Sequence, residues 1–197
     1  MRKNIMLNDW IAEQNGVLKI SDAKRLNLST VYLFDFIAKN NFEKVSKGIY
    51  VHPDVWTDDM YLMQLRYKQV IFSHETALYL LDMSEREPIN YTVTVKAHYN
   101  TKSLKEQSVN VYSVKKELYT MGLIDVKTSM GNNVRCYNEE RTVCDMVRSR
   151  KKVDIQETTS ALKKYAMRKD KNIPQLMRYA RELKIEKNIR QYLEVLL

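Results

Sequence analysis

Glycine and proline are so scarce in this chain of 197 residues that each one is informative about where the chain turns or a helix ends. They are Gly16, Gly48, Gly122, Gly131, Pro53, Pro88 and Pro174. The segments between them carry helical or alternating apolar patterns, without an internal repeat or a low-complexity stretch. With 44% apolar residues, the chain is far too hydrophobic for disorder. The sequence therefore predicts an α+β protein built from short elements.

The first 52 residues follow the order helix, short strand, short helix, turn, helix and hairpin. The hairpin is KVSKGIYV, residues 44–51, with Gly48 at its tip, and a lone hairpin of this size is not stable in water. Ser29 is placed to cap the longer helix, STVYLFDFIAKN. This order is that of a winged helix-turn-helix, whose third helix enters the major groove of DNA. We therefore predict a winged helix-turn-helix domain over residues 1–52.

Helical spacing in the third helix divides its residues into a core face and a DNA face. The residues expected to face the core are Val31, Phe34, Ile37 and Ala38. The outward residues near the start of the helix are predicted to contact bases, and nearby polar and basic residues to contact phosphates. This predicted DNA-binding set is Lys24, Arg25, Ser29, Thr30, Tyr32, Leu33, Lys39, Lys44, Ser46 and Lys47. The alternative is a protein-interaction module, because this region has only eight basic against five acidic residues and Asp35 would repel a phosphate.

Residues 58–197 are predicted to form a second, mixed α+β domain ending in a helical bundle. Its small sheet is expected at about 90–137, from the strands INYTVTVKA and VNVYSV and a hairpin around Gly131. The helical part is expected at 139–197, as helices at 139–149, 154–168 and 173–196, the last with a break near Lys184. The helix at 154–168 is predicted to bury the stripe Ile155, Thr158, Leu162 and Tyr165.

The formal net charge of +9 is concentrated in one part of the chain. Residues 141–191 contain fifteen basic and six acidic residues, whereas residues 53–140 are slightly acidic. We predict a basic face formed by Arg148, Arg150, Lys151, Lys152, Lys163, Lys164 and Arg168. Such a face favours contact with DNA backbone or with an acidic or RNA-bearing partner, and the alternative is a merely solvated helix surface.

Motifs for catalysis, metal binding and membrane insertion do not occur. The two cysteines and three histidines have no zinc-ligand spacing, and no glycine-rich phosphate loop or GxSxG elbow is present. We interpret His74, at the start of a helix, as a residue that caps the helix rather than as a catalytic residue.

A signal peptide and an apolar stretch long enough for a membrane span are not expected either. We expect a cytoplasmic protein that is not an enzyme and has no cofactor or metal. The alternative is a nucleic-acid-processing enzyme, such as a metal-dependent nuclease using scattered acids, that the winged helix directs to its substrate.

Five segments, in order along nearly the whole chain, resemble the AbiEi-type antitoxins of bacterial abortive-infection, type IV toxin–antitoxin systems. They are FEKVSKGIYV, VIFSHETALYLLDMSEREP, INYTVTV, RTVCDMVRSRKKVDIQETTSALKKY and IRQYLEVLL. The resemblance implies phage resistance through a bifunctional protein. The winged helix would repress its own operon at inverted repeats in operator DNA, with two copies binding cooperatively and bending it. The second domain would neutralise a nucleotidyltransferase-class toxin, without a stable complex being implied.

Overall fold

The computed structural model describes residues 2–196, which form eleven helices and two β-sheets. The fold is α+β, as predicted. The chain divides into two compact units, Met1–Lys68 and Gln69–Leu197. None of the helices within residues 2–196 combines the length and the apolar character that crossing a bilayer requires.

The N-terminal unit contains four helices and one three-stranded sheet. Its elements are α1 (Arg2–Glu13), β1 (Val17–Lys19), α2 (Asp22–Arg25), α3 (Thr30–Lys39), β2 (Glu43–Ser46), β3 (Ile49–Val51) and α4 (Asp59–Arg66). The strands are antiparallel in the order β1-β3-β2, and β2 and β3 form the predicted hairpin. Gly48 has a φ of 73° at the hairpin tip, where a glycine is favoured. The backbone N–H of Ile20 donates to the Gly48 carbonyl, 2.9 Å away, and so holds the tip beside the start of α2.

The core of this unit corrects the predicted orientation of α3. Leu33, Phe36 and Ile37 are buried, packed in one cluster with residues of α1 that include Leu7. Val31 and Phe34, which we expected inside, are 76% and 48% exposed. Ala38 is exposed as well. Both sets of positions have helical spacing and both are apolar, so hydrophobic periodicity alone does not distinguish them.

The N-terminal unit extends beyond the predicted boundary near residue 52. Leu62 of α4 is buried in a cluster with Val17 of β1 and Val51 of β3. Because α4 covers this side of the small sheet, residues 58–68 belong to the first unit rather than to the second.

The second unit contains five strands and seven helices. They are β4 (Ile71–Phe72), α5 (His74–Leu80), β5 (Thr92–Lys96), α6 (Lys102–Lys105), β6 (Asn110–Val114), α7 (Lys116–Tyr119), β7 (Leu123–Lys127), β8 (Asn133–Tyr137), α8 (Glu139–Arg148), α9 (Ile155–Met167), α10 (Ile173–Glu182) and α11 (Glu186–Leu196).

One mixed sheet organises this unit, in the order β6-β5-β4-β8-β7. Strands β7 and β8 are the predicted antiparallel hairpin, and β5 and β6 run parallel. The central strand, β4, is only two residues long, and it lies outside the predicted sheet region of about 90–137. It pairs antiparallel with β5 and parallel with β8, where Phe72 is opposite Cys136. The sheet therefore depends on a strand too short to give a sequence pattern.

The helical region agrees with the prediction at most positions. Asp154 caps α9 by accepting from the backbone N–H of Gln156, and Lys184, with a φ of 59°, lies at the break between α10 and α11. Thr158, Leu162 and Tyr165 are buried, as predicted, but Ile155 is 63% exposed. Ile155 is the first residue of α9, one turn before the point where the helix becomes buried, so its place in the stripe was wrong.

Arg141 is the central polar residue of the second unit. Its side chain is fully buried, and Nε donates to Oδ2 of Asp145 at 3.0 Å. Nη1 donates to the carbonyls of Leu118, at 2.7 Å, and Met121, at 3.0 Å. The guanidinium lies 4.3 Å from the centre of the Tyr137 ring. One side chain thus connects α8 to α7 and to the segment between α7 and β7.

Gly122 lies directly against this arginine, and its replacement tests how tightly the segment is packed. A Cβ at Gly122 would come within 2.6 Å of Arg141 Cβ and 2.7 Å of Asn138 Oδ1, whereas a Cβ at Gly131 would meet nothing within 4 Å. Both glycines have similar left-handed φ angles, 78° and 83°. Gly131→Ala should therefore cost only the backbone strain, about 1–2 kcal/mol. Gly122→Ala should cost about 1–3 kcal/mol more, because the side chain also overpacks the site.

Urea-dependent labelling of the thiols measures this difference, because both cysteines are free, buried and located in the second unit. Equal labelling midpoints for the two variants would show that the packing around Gly122 relaxes without cost.

Candidate functional site

The start of α3 is capped as the sequence predicted. Ser29 has extended backbone, and its Oγ accepts from the backbone N–H of Tyr32 at 3.2 Å. Ser29 and Thr30 are both exposed. The first turn of α3 therefore presents backbone N–H groups to solvent at the positive end of the helix dipole, which favours anions such as phosphate.

The exposed face of α3 carries large apolar residues beside polar ones. Val31 and Phe34 project from it together with Asp35 and Ala38. The Phe34 ring makes an edge contact with Tyr50 of the hairpin, at 6.5 Å between ring centres. Large exposed apolar side chains on a helix next to a hairpin are a feature that requires an explanation.

Three of the predicted DNA-binding residues are engaged inside the unit. Leu33 is fully buried, so its assignment as a base-contacting residue was wrong. The Tyr32 hydroxyl donates to Asn4 Oδ1 of α1. Lys39 forms an ion pair with Asp35 at 2.8 Å, and this hydrogen bond raises the pKa of the lysine. The pair also neutralises the carboxylate that we expected to repel phosphate.

The other predicted cations of the N-terminal unit are exposed around α3. Lys24 and Arg25 lie on α2, Lys44 lies on β2, and Lys47 lies in the hairpin turn. Arg25 places its guanidinium 5.0 Å from the centre of the Trp10 ring, which orients it without neutralising it. Ser46 is half-buried in the hairpin. These cations are therefore accessible on the elements that precede and follow α3 along the chain.

The predicted basic face of the second unit separates into residues with and without acidic partners. Arg168 bridges Glu139 at 3.1 Å and Asp170 at 2.8 Å, and Lys164 lies 3.7 Å from Glu85. Lys163 and Arg150 line a depression beside α11. Arg148, Lys151 and Lys152 instead surround the mouth of a cavity of about 290 Å³, hereafter the basic pocket.

Side chains from distant segments, most of them polar and uncharged, line the rest of the basic pocket, and no sequence pattern indicated this site. They include His74 at the start of α5, Thr94 of β5, Tyr112 of β6 and Ser149 after α8. The His74 ring is buried and stacks on Tyr112, with 3.8 Å between ring centres and 16° between planes. The interpretation of His74 as a simple helix cap was therefore wrong. Its φ of 51° is a strained conformation for a residue with a side chain.

A chain of hydrogen bonds fixes the His74 ring. Thr94 Oγ1 donates to Ser73 Oγ at 2.9 Å, and Ser73 Oγ lies 3.0 Å from His74 Nδ1. Nε2 lies 3.0 Å from Ser149 Oγ and donates to it in the tautomer that carries the ring proton on Nε2. Burial, together with the charges of Arg141 and Arg148, lowers the pKa of His74 to about 3. The imidazole is therefore neutral near pH 7.

Among residues 2–196, no group of three or more His, Cys, Asp or Glu side chains is arranged to hold a metal ion. The carboxylate nearest the basic pocket is Asp145, whose pKa burial raises, although the charge of Arg141 opposes this effect.

Comparison with known proteins identifies the fold but not a family. No protein-family profile matches the chain, and no curated protein sequence matches it. A crystal structure of the RV2827C protein from Mycobacterium tuberculosis is similar, with a TM-score of 0.58 over 89% of this chain and 70% of that one. The two sequences are 12% identical, so the similarity concerns the fold alone.

The neutral state of His74 has a measurable consequence for stability. The folded pKa, about 3, lies below the ordinary value of 6.5, so the unfolded chain binds the proton first as the pH falls. The stabilisation is complete above pH 6.5 and is lost progressively towards pH 3. For this one group we expect the unfolding free energy of the second unit to fall by about 2 kcal/mol between pH 7.5 and pH 5.

Urea titrations followed by amide NMR signals of the second unit measure this loss. The double variant His52→Gln/His98→Gln removes the other two histidines and should keep it. Ring nitrogen shifts should show His74 neutral at pH 5.5, and an imidazolium signal there would contradict the assignment.

Proposed function

We propose that the chain is a DNA-binding autorepressor and antitoxin, whose N-terminal unit is a winged helix-turn-helix that binds double-stranded operator DNA. The order α1, α2, α3 and hairpin, with β1 added to form a small sheet, supports this assignment. The observation that carries it is the surface of α3, where a capped, solvent-facing N-terminus adjoins exposed apolar residues and a hairpin with a lysine at its turn. In this proposal α3 is the recognition helix and β2–β3 is the wing.

Phosphate contacts would come from the exposed cations of this unit. Lys24 and Arg25 on α2 and Lys44 and Lys47 on the wing carry no acidic partner among the described residues, unlike Lys39. Neutralising phosphates releases condensed counterions, so each contact contributes to a salt-dependent affinity. The N–H groups at Ser29 and Thr30 add a phosphate site that carries no net charge.

Base recognition would depend on apolar contacts. From Thr30 to Ala38 the recognition helix has no Arg, Lys, Asn or Gln, the side chains that make bidentate contacts with guanine and adenine. Its exposed residues include Val31 and Phe34. In the major groove the apolar group available to them is the C5-methyl of thymine. We therefore expect operator recognition to depend on thymine methyl groups.

The antitoxin role rests on the resemblance to AbiEi-type antitoxins. We assign neutralisation of a nucleotidyltransferase-class toxin to the second unit, with no stable complex required. Repression would use two copies of the chain bound cooperatively at inverted repeats. Basic residues of the second unit that remain unpaired could contact flanking backbone and offset the energy of bending the DNA.

Charge reversal at the wing tests the repressor function. Lys47→Glu should weaken binding to the promoter fragment upstream of the gene by about tenfold and reduce the slope of log affinity against log salt by about one. The matched control is Lys68→Glu, an exposed lysine of the same unit outside α2, α3 and the wing. In cells, Lys47→Glu should lose repression and still neutralise the toxin.

Fluorescence anisotropy across a salt series makes the binding measurement. Equal affinities for both variants would remove the wing from the interface, and magnesium-dependent cleavage of the fragment would indicate a nuclease instead.

Removing thymine methyls tests base recognition separately. A promoter fragment synthesised with deoxyuridine in place of thymidine should bind the wild-type protein at least several-fold more weakly, since each thymine methyl that is no longer buried costs about 0.8 kcal/mol. The variant Val31→Ala/Phe34→Ala should bind both fragments with equal, reduced affinity. If the wild-type protein binds the two fragments equally, α3 does not recognise thymine through these side chains, although DNA binding itself could persist.

A further inference from the structure

We propose that the basic pocket of the second unit binds a small phosphomonoester, that is, a dianionic terminal phosphate carried by a sugar- or nucleoside-sized group. The pocket belongs entirely to the second unit and uses none of the residues assigned to base recognition. The proposal therefore does not depend on base recognition by α3.

The cations at the pocket mouth have no acidic partners. Arg148, Lys151 and Lys152 are exposed, and none forms a salt bridge with a carboxylate among residues 2–196. Asp145 is the one carboxylate among the pocket-lining residues, and it is 3% exposed and bonded to Arg141. The pocket is thus lined by three exposed cations and by one carboxylate that is buried and already paired with Arg141. The pocket has an excess of positive charge that an anionic ligand would balance.

The inner wall offers hydroxyl donors. Ser149 Oγ lies 3.0 Å from His74 Nε2 and hydrogen-bonds with the Tyr112 hydroxyl. With the His74 proton on Nε2, the Ser149–Tyr112 pair has one hydroxyl proton left to donate. Tyr112 lines the same cavity and is half-buried. Phosphate oxygens only accept hydrogen bonds from such groups, and a phosphate group fits a wall of hydroxyls below a rim of cations.

The end of α8 would oppose an anion if its carbonyl groups were free, because the C-terminus of a helix carries partial negative charge. Of the last four carbonyls of α8, those of Asp145 and Val147 accept hydrogen bonds, as does the Ser149 carbonyl that follows. The N–H of Ser149 donates to the Asp145 carbonyl at 2.9 Å, and Arg150 Nη1 donates to the Val147 carbonyl at 3.4 Å. The N–H of Lys152 donates to the Ser149 carbonyl at 2.7 Å. Lys151 and Lys152 of the same turn line the pocket.

The size of the cavity selects a terminal phosphate. A volume of about 290 Å³ lies at the lower limit for small-molecule sites, about 300–1,000 Å³. It accommodates a phosphate and a small carrier. A phosphodiester within a polymer has one charge per phosphate and needs an open groove that continues on both sides. The strained backbone of His74 is held in place by its buried hydrogen bonds, so the inner wall is preformed.

Titration of the full-length protein with small phosphates tests the proposal at 150 mM salt, where diffuse attraction is screened. The probes are inorganic phosphate, methyl phosphate, dimethyl phosphate, ribose 5-phosphate and adenosine 5′-monophosphate, followed by amide NMR. Inorganic phosphate and the monoesters should saturate one site and shift the Ser149 and Tyr112 signals, and dimethyl phosphate should not. The better of the two larger monoesters identifies the carrier as a sugar or a nucleoside.

The variant Lys151→Gln/Lys152→Gln should weaken monoester binding at least tenfold. The matched control is Lys163→Gln/Lys169→Gln, which removes the same charge from exposed lysines of the same unit that do not line the pocket. It should change affinity less than twofold. Equal losses in both variants, equal binding of dimethyl phosphate, or no saturable binding of any probe would each overturn the proposal.

Discussion

The second unit is organised around a charge that has no contact with water. Burying a guanidinium is costly unless its charge is paired and its N–H groups are bonded. Arg141 meets this requirement at Nε and Nη1, through Asp145 and two backbone carbonyls, and its guanidinium lies against the Tyr137 ring, whereas Nη2 is buried without a hydrogen-bond partner among the described residues. Removing one partner of such a buried pair typically costs about 3–5 kcal/mol. The pair therefore fixes where α8 lies against the loop before β7. The position of α8 in turn determines where Ser149 and the three cations of the basic pocket occur.

Local patterns were sufficient to predict most elements and insufficient to orient α3. Hairpins with a glycine turn, the caps at Ser29 and Asp154 and the break at Lys184 depend on neighbouring residues, so the sequence shows them. The orientation of α3 depends on which of its two sets of apolar residues is covered by the other helices. Packing against α1 and Phe42 decides which set is buried, and no local sequence pattern indicates the result.

The same distinction explains which site residues were found. Exposed lysines and arginines are visible in any sequence, but their partners are not. Arg168 and Lys164 are close to carboxylates from other segments, whereas Lys151 is not. The residues of the basic pocket come from α5, β5, β6 and the turn after α8, and only the sheet order brings them together. A buried neutral histidine has no signature in composition or spacing.

The two-residue length of β4 has a consequence for the order of folding. The sheet of the second unit is continuous only when Phe72 is opposite Cys136, a pairing between residues far apart in sequence. Contacts of this kind form slowly, because a long loop must close before they are made. The strand pairings of the first unit lie within residues 17–51. A ribosome releases the N-terminal part of the chain first. All strands of the first unit can therefore pair before β7 and β8 are available to complete the sheet of the second unit.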